Sequence, residues 1–314
     1  MYLQLDLNKM HLKNYLSLVK FSHTIFAMPF ALIGFFLAVT TSSTIFGHTN
    51  LINALGWGKS MLLQNPDLWK RLLLVILCMI FARSAAMAFN RWLDKNFDAR
   101  NPRTAIREIP AGIIAANHAL RFVIINCIMF ITLTWFINLI CFLLSPVAIF
   151  VILFYSYTKR FTPLCHLVLG LGLSLAPIGA YLAVTGRFDI LPVLFSFVVL
   201  FWVSGFDIIY AMQDVEFDQS ENLYSIPSVL GKKKALRVSE VFHGMSAIIV
   251  FVTGYIASFG WFYWVGTVVF CSMLIYQHAI VKPDDLRRVN LAFMTANGIA
   301  SVVFAVLVIV DLLV

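Results

Sequence analysis

The sequence predicts an all-α membrane protein of about nine transmembrane helices, and three observations predict it. Hydrophobic residues make up 61% of the 314 and charged residues 12%, with a mean hydropathy of +0.89, a balance foreign to soluble domains. Apolar runs of about 20 residues, the length a helix needs to cross the hydrocarbon layer, follow one another with short connections. Lysine and arginine concentrate on alternate connections, as they do when cytoplasmic loops carry the basic excess. No polar stretch is long enough for a separate soluble unit, so residues 1–314 are expected to form a single domain.

The spans fall near 17–40, 68–89, 119–140, 142–158, 166–185, 190–212, 239–258, 262–281 and 291–314. Leu144-Ser145-Pro146 is the turn signal that divides the third from the fourth, and Ser258-Phe259-Gly260 divides the seventh from the eighth. Nine spans put the N-terminus and the connections after even-numbered spans on one side. Of the 23 basic residues, only Lys59, Lys70, Arg71 and Arg187 fall on the other. The N-terminus and that set of loops are therefore expected in the cytoplasm, with the lipid bilayer of the inner membrane as surroundings.

The net charge of +8 is dispersed in small clusters between apolar runs, a pattern of membrane topology that argues against a nucleic-acid partner. Cys78, Cys127, Cys141, Cys165 and Cys271 lie in or beside apolar runs without a CxxC pair and read as packing residues. His11, His23, His48, His118, His166, His243 and His278 show no metal-ligand spacing, and no GxxxxGK[ST] or GxGxxG phosphate loop occurs. The N-terminal segment is polar and basic ahead of an apolar run that lacks a small-residue cleavage pattern, so no cleaved signal peptide is expected.

Chemistry is concentrated in two connections. After the second span, FNRWLDKNFDARNPRT carries Asn90, Asp94 and Asp98 at intervals of four; after the sixth, IYAMQDVEFDQSENLYSIPS carries Tyr210, Asp214 and Asp218 at the same intervals, 120 residues later. On a helix, residues four apart share a face. An offset spanning four helices puts both sets on one side of the membrane in parallel four-helix repeats. Aspartates gathered in this way repel one another and call for cations. Mg²⁺ suits such a site because it favours a few carboxylate oxygens together with substrate phosphates. The alternative is that the aspartates are solvated loop residues paired with neighbours such as Arg91, Lys95 and Arg100.

These motifs resemble the UbiA family of intramembrane aromatic prenyltransferases, whose signatures are NxxxDxxxD after the second helix and DxxxD after the sixth. The likeness extends to NPRT, to Pro110-Ala111-Gly112, to YAMQD and to Ser225-Ile226-Pro227. It implies a bundle around a lipid-accessible cavity where Asp94, Asp98, Asp214 and Asp218 bind Mg²⁺, Asn90 supports them, and the metal grips the diphosphate of a polyprenyl donor. Tyr155, Lys159 and Arg160, in the YSYTKR run, and Tyr210 are candidate substrate-binding residues. The two cations would meet diphosphate or an acceptor carboxylate, or else anchor the loop. Lys20 sits where relatives place a basic group near the acceptor, though snorkelling to the interface accounts for it equally. Arg91, Arg103 and Arg107 are further diphosphate candidates, or arginines drawn to an anionic surface. Asp207, deeper in the membrane than Asp214, would orient the acceptor or deprotonate its phenol, or make a helix contact.

The partners implied are a polyprenyl diphosphate and a small aromatic acid; the sequence names no protein partner. GFDIIYAMQDVEFD is similar to the quinone-precursor branch, whose acceptors are 4-hydroxybenzoate or a dihydroxynaphthoate. Glu216-Phe217-Asp218 and the following Ser225-Ile226-Pro227 lean toward the relative acting on 1,4-dihydroxy-6-naphthoate. Haem, chlorophyllide and ether-lipid acceptors are the alternatives within the family. A secondary transporter is the alternative outside it, but its acids would line discontinuous helices at the midplane, whereas these lie in polar loops at helix ends.

Overall fold

Lipid offers no partner to a backbone N–H or C=O, so a chain this apolar has to satisfy its backbone within helices. The computed structural model describes residues 14–15, 17–19, 26–45 and 65–314. Its long elements are all helices: α1 (Met28–Ile45), α2 (Pro66–Leu93), α3 (Ala116–Ile137), α4 (Leu139–Thr158), α5 (Cys165–Thr185), α6 (Ile190–Ala211), α7 (Lys232–Ile256), α8 (Trp261–Ile280) and α9 (Asn297–Leu313). Among the described residues, eight of these are long and apolar enough to cross a membrane, α9 together with the π-helical turn Leu291–Ala296 that leads into it. The first expected span, 17–40, overlaps α1, which is apolar but shorter than the eight; Lys20 and Lys59 lie outside the described residues.

Two boundaries correct the sequence reading. Leu144-Ser145-Pro146 lies inside α4 and makes no turn. The division comes at Asn138, whose backbone is extended (φ −169°, ψ 167°) and whose side chain accepts the Cys141 N–H at 2.9 Å, capping the new helix. Ser145 remains in the helix, its hydroxyl donating to the Phe142 carbonyl at 2.7 Å. α7 starts at Lys232, earlier than the apolar run alone suggests, because Lys232–Lys234 form its polar first turn. The expected break at Ser258-Phe259-Gly260 is present, with Ser258 in the left-handed region (φ 51°).

The order of packing repeats after four helices. α2 lies on α3 and α6 on α7; α4 lies on α5 and α8 on α9; α1 is wedged against both α5 and α9. Phe30, Phe195, Trp202, Tyr263, Phe270 and Phe304 form the centre of the core. The Trp202 indole donates to Asn297 Oδ1 at 2.9 Å. Outward faces stay apolar, with Phe136 at 62% and Phe150 at 63% exposed, as lipid contact requires.

Close approaches at glycine set the helix spacing. A Cβ on Gly34 would lie 2.0 Å from the Pro177 carbonyl oxygen, so α1 rests directly on the α5 backbone. A Cβ on Gly170 would lie 2.5 Å from the Leu200 carbonyl oxygen and from Ser204 Oγ, which brings α5 equally close to α6. Gly34→Ala should therefore cost about 1–3 kcal/mol, read as a lower unfolding temperature in detergent. Gly179→Ala, where an added Cβ meets nothing within 4 Å, should be neutral or stabilise by about 0.5–1 kcal/mol. Equal behaviour of the two variants would show that the α1–α5 contact does not limit stability.

Candidate active site

Both aspartate motifs sit where a long helix bends into a short one. α2 ends at Asp94 (φ −92°, ψ 8°) and continues as Lys95–Arg100; α6 ends in the turn Met212–Asp214, with Asp214 at φ −109°, ψ 8°, and continues as Val215–Ser220. The ladder survives the first bend, since Asp94 N–H donates to the Asn90 carbonyl at 2.9 Å and Asp98 N–H to the Asp94 carbonyl at 2.8 Å. The expectation of one straight helical face is thus corrected to a face folded at its middle aspartate. Both motifs border one cavity of about 650 Å³.

The aspartates are paired, though not with the neighbours the sequence suggested. Asp94, 2% exposed, receives Lys159 Nζ at 2.9 Å, Arg160 Nη2 at 2.7 Å and Asn90 Nδ2 at 3.3 Å. Asp98 pairs with Arg107 at 2.7 Å, leaving its buried Oδ2 without a partner among the described residues. Asp214 pairs with Arg103 at 2.5 Å and accepts from Asn101 at 3.3 Å. Asp218 accepts the Ser225 hydroxyl at 2.9 Å. Arg100 turns instead to Glu221 at 2.8 Å, Lys95 lies over the Trp92 ring, and Arg91 is 3.8 Å from Glu108.

The sequence around the motifs explains this arrangement. Asn101 Oδ1 accepts the Arg103 N–H at 2.9 Å, an Asx turn that carries the NPRT loop across to the second motif. Ser225 caps the short helix Ile226–Leu230 in a capping box with Ser228 while donating to Asp218, which gives the Ser225-Ile226-Pro227 run its local purpose. Burial works against the Arg103 charge, but Asp214 and the Tyr210 hydroxyl more than offset it, so its pKa stands above the ordinary arginine value. Tyr210 accepts from Arg103 at 3.3 Å and lies against Phe293.

Of the expected site residues among those described, Asn90, Arg91, Asp94, Asp98, Arg103, Arg107, Tyr155, Lys159, Asp207, Tyr210, Asp214 and Asp218 line the cavity, and Arg160 reaches Asp94 from beside it. The sequence reading missed three further groups. Arg83 lines the wall with its buried Nε unpartnered among the described residues, and so does the Ser156 hydroxyl. His166 Nδ1 lies 2.7 Å from Asp207 Oδ2. A lone arginine within an apolar run was a usable signal for Arg83, since charge at that depth is costly; the other two had none. A second, apolar cavity of about 360 Å³ lies among α2, α3, α4 and α5 and shares Arg83, Tyr155, Leu169 and Leu173 with the first.

A helical membrane bundle with acidic motifs at two equivalent bends over one cavity defines a membrane-embedded enzyme. A model of the UbiA prenyltransferase family matches residues 50–299, and the chain belongs to that family of prenyltransferases. It is 28% identical over 241 residues to a 4-hydroxybenzoate octaprenyltransferase of Aliivibrio fischeri strain MJ11, covering 76% of this chain and 83% of that one. To the protein of the same name from Tolumonas auensis it is 27% identical over 258 residues, covering 78% and 90%. The structure superposes on the apo form of a UbiA homolog from Aeropyrum pernix K1 with a TM-score of 0.75, 28% identity and coverage of 92% and 98%. A homolog from Archaeoglobus fulgidus bound to GPP and Mg²⁺ shares the fold at TM-score 0.66 and 18% identity, covering 96% of this chain and all of that one.

Among the described residues no three His, Cys, Asp or Glu side chains stand close enough to cage a metal. The donors nonetheless suit Mg²⁺, which takes one or two carboxylates and completes its shell with water and phosphate. The free Oδ2 of Asp98 and the exchangeable pairs on Asp94 and Asp214 are such donors. A divalent ion bound at Asp214 would have to compete with Arg103. Arg103→Gln should accordingly tighten Mn²⁺ binding without substrate by roughly tenfold, the effect of removing about 1.4 kcal/mol of competing attraction, measured by electron paramagnetic resonance. Arg100→Gln, whose guanidinium pairs with Glu221 and with none of the four aspartates, should leave it unchanged. Equal affinity in wild type and Arg103→Gln would mean that Asp214 does not meet the metal.

Proposed function

We propose that the protein transfers a polyprenyl group from polyprenyl diphosphate to an aromatic carboxylic acid with a free phenol, with Mg²⁺ as cofactor, as a step of quinone biosynthesis. The observation that carries this reading is the convergence on one cavity of two aspartate pairs and the unpartnered Arg83 and Ser156. The first set suits a metal diphosphate and the second an organic anion. Residues 1–314 act as one domain, with the motif loops on the cytoplasmic side of the inner membrane.

Asp94, Asp98, Asp214 and Asp218 would hold Mg²⁺, which when bound would supply countercharge to the diphosphate. Arg103, Arg107, Lys159 and Arg160, released from their aspartates, turn to the diphosphate oxygens and stabilise the charge that grows as the allylic C–O bond breaks. The polyprenyl tail extends into the apolar cavity, whose walls keep water from the allylic cation. Arg83 and Ser156 hold the acceptor's carboxylate, a guanidinium fork matching its two oxygens. Asp207 takes the phenol proton, which raises the electron density of the neighbouring ring carbon. That carbon forms the new C–C bond and then loses its own proton as the ring regains aromaticity.

For the acceptor, the names of the similar octaprenyltransferases favour 4-hydroxybenzoate, while Glu216-Phe217-Asp218 and Ser225-Ile226-Pro227 favour a dihydroxynaphthoate. Membranes carrying the enzyme, Mg²⁺ and a polyprenyl diphosphate should prenylate one of these acids and not haem. Asp94→Asn and Asp214→Asn should each lower product formation by roughly 100-fold or more while the protein stays folded. Arg83→Leu should raise the acceptor KM by about 10- to 100-fold, the size of a charge-assisted hydrogen bond, with little change in donor KM. Prenylation of haem alone, or an Arg83→Leu variant with an unaltered acceptor KM, would overturn the acceptor site described here.

A further inference from the structure

His166 is the second residue of α5, is 2% exposed, and is held at three points. Its Nδ1 lies 2.7 Å from Asp207 Oδ2, its Nε2 accepts the Ile226 backbone N–H at 3.3 Å, and its carbonyl accepts the Ser204 hydroxyl at 3.1 Å. A backbone N–H can only donate, so Nε2 must present its lone pair. The ring proton then belongs to Nδ1 and is donated to Asp207. The network therefore directs the Nδ1 proton to the Asp207 carboxyl.

The position of this pair is built into the fold. The contact of Gly170 with Leu200 and Ser204 brings α5 and α6 together one turn from His166, within reach of Asp207. Ile226 opens the short helix whose cap, Ser225, holds Asp218. One imidazole thus fixes Asp207 relative to both the helix that bears it and the second motif loop. The Asp207 side chain is 24% exposed and lines the cavity, and its Oδ1 makes no hydrogen bond among the described residues.

We infer that His166 is a positioning residue that holds Asp207 in one rotamer, with Oδ1 presented to the phenol of the acceptor. This rests on the proposed acceptor chemistry. The phenol O–H bond breaks, its electrons remain on the acceptor oxygen, and the proton goes to Asp207 Oδ1. As the prenylated ring rearomatises, its carbon gives up a proton to the released diphosphate and Asp207 returns its proton to the oxygen. The carboxylate is regenerated and His166 keeps its own proton throughout.

The titratable and charged groups around Asp207 are His166 and Cys165 from α5, Tyr155, Lys159 and Arg83 across the cavity, and Tyr210, Asp214 and Asp218 further along its own chain. In His166→Phe kcat should fall about 10- to 100-fold, with donor KM changed less than about threefold. His166→Asn, whose amide N–H can take the place of Nδ1–H, should recover most of this. 3-Fluoro-4-hydroxybenzoate, a more acidic phenol with one adjacent ring carbon still free, depends less on a base. His166→Phe should lose less activity with it than with 4-hydroxybenzoate. His166→Asn as damaged as His166→Phe, or equal losses with both acceptors, would reduce His166 to helix packing and overturn the inference. Wild-type activity in Asp207→Asn would overturn it too, leaving prenyl transfer intact. If the wild type prenylated no aromatic acid at all, the functional reading beneath it would fail as well.

Discussion

Four carboxylates collected at one end of an apolar bundle are the constraint to which the rest of this structure answers. Breaking a buried ion pair costs about 3–5 kcal/mol, so each carboxylate needs a partner wherever it is drawn out of water. The partners come from elsewhere in the chain. Asp94 is met by Lys159 and Arg160 from the end of α4, and Asp214 by Arg103 and Asn101 from the loop that follows α2. The loops are tied in return, with the Tyr224 N–H donating to the Lys159 carbonyl at 2.7 Å and Glu221 meeting Arg100. The pairing that neutralises the acids therefore also fixes the polar roof of the bundle, and it leaves cations close by to receive an anion once the acids take a different partner.

Beneath that roof the bundle separates two environments that a membrane enzyme needs to keep apart. The polar cavity and the apolar one meet at Arg83 and Tyr155, so a molecule with a charged head and a hydrocarbon tail finds both within one pocket system. The π-helical turn before α9 brings Phe293 and Met294 to the polar cavity wall, a use of irregular helix common at functional sites. Rigid close packing at Gly34 and Gly170 keeps these walls in register.

Much of this was legible in the sequence because membrane helices and DxxxD spacing are local signals. Apolar length gives the spans, basic bias gives their direction, and a period of four puts the acids of each motif together. What was not legible depends on distance through space. The charged partners of the aspartates lie 9 to 111 residues away along the chain, so the nearest basic residues in sequence were the wrong candidates. His166 and Asp207, 41 positions apart, meet only because α5 and α6 touch at Gly170. Pro146 failed as a turn signal because lipid-embedded helices tolerate proline where neighbouring groups satisfy the freed backbone; the break fell instead at Asn138, where a side chain could cap the next helix.

The repeat itself shows where specificity entered. Asp94 and Asp214 are equivalent under the 120-residue offset and share a backbone conformation. The same offset sets Arg83 against Val203 and Asp207 against Met87, and all four line the cavity. The aspartates suited to a metal are thus duplicated, whereas Arg83 and Asp207 each have an apolar residue at the matching place. Charge follows the same division: the first motif holds three cations on two aspartates, the second one cation and a serine hydroxyl. A symmetric scaffold alone would bind two like ligands. On the proposed function, breaking its symmetry at Arg83 and Asp207 would let one cavity distinguish a phosphorylated hydrocarbon from a small aromatic acid.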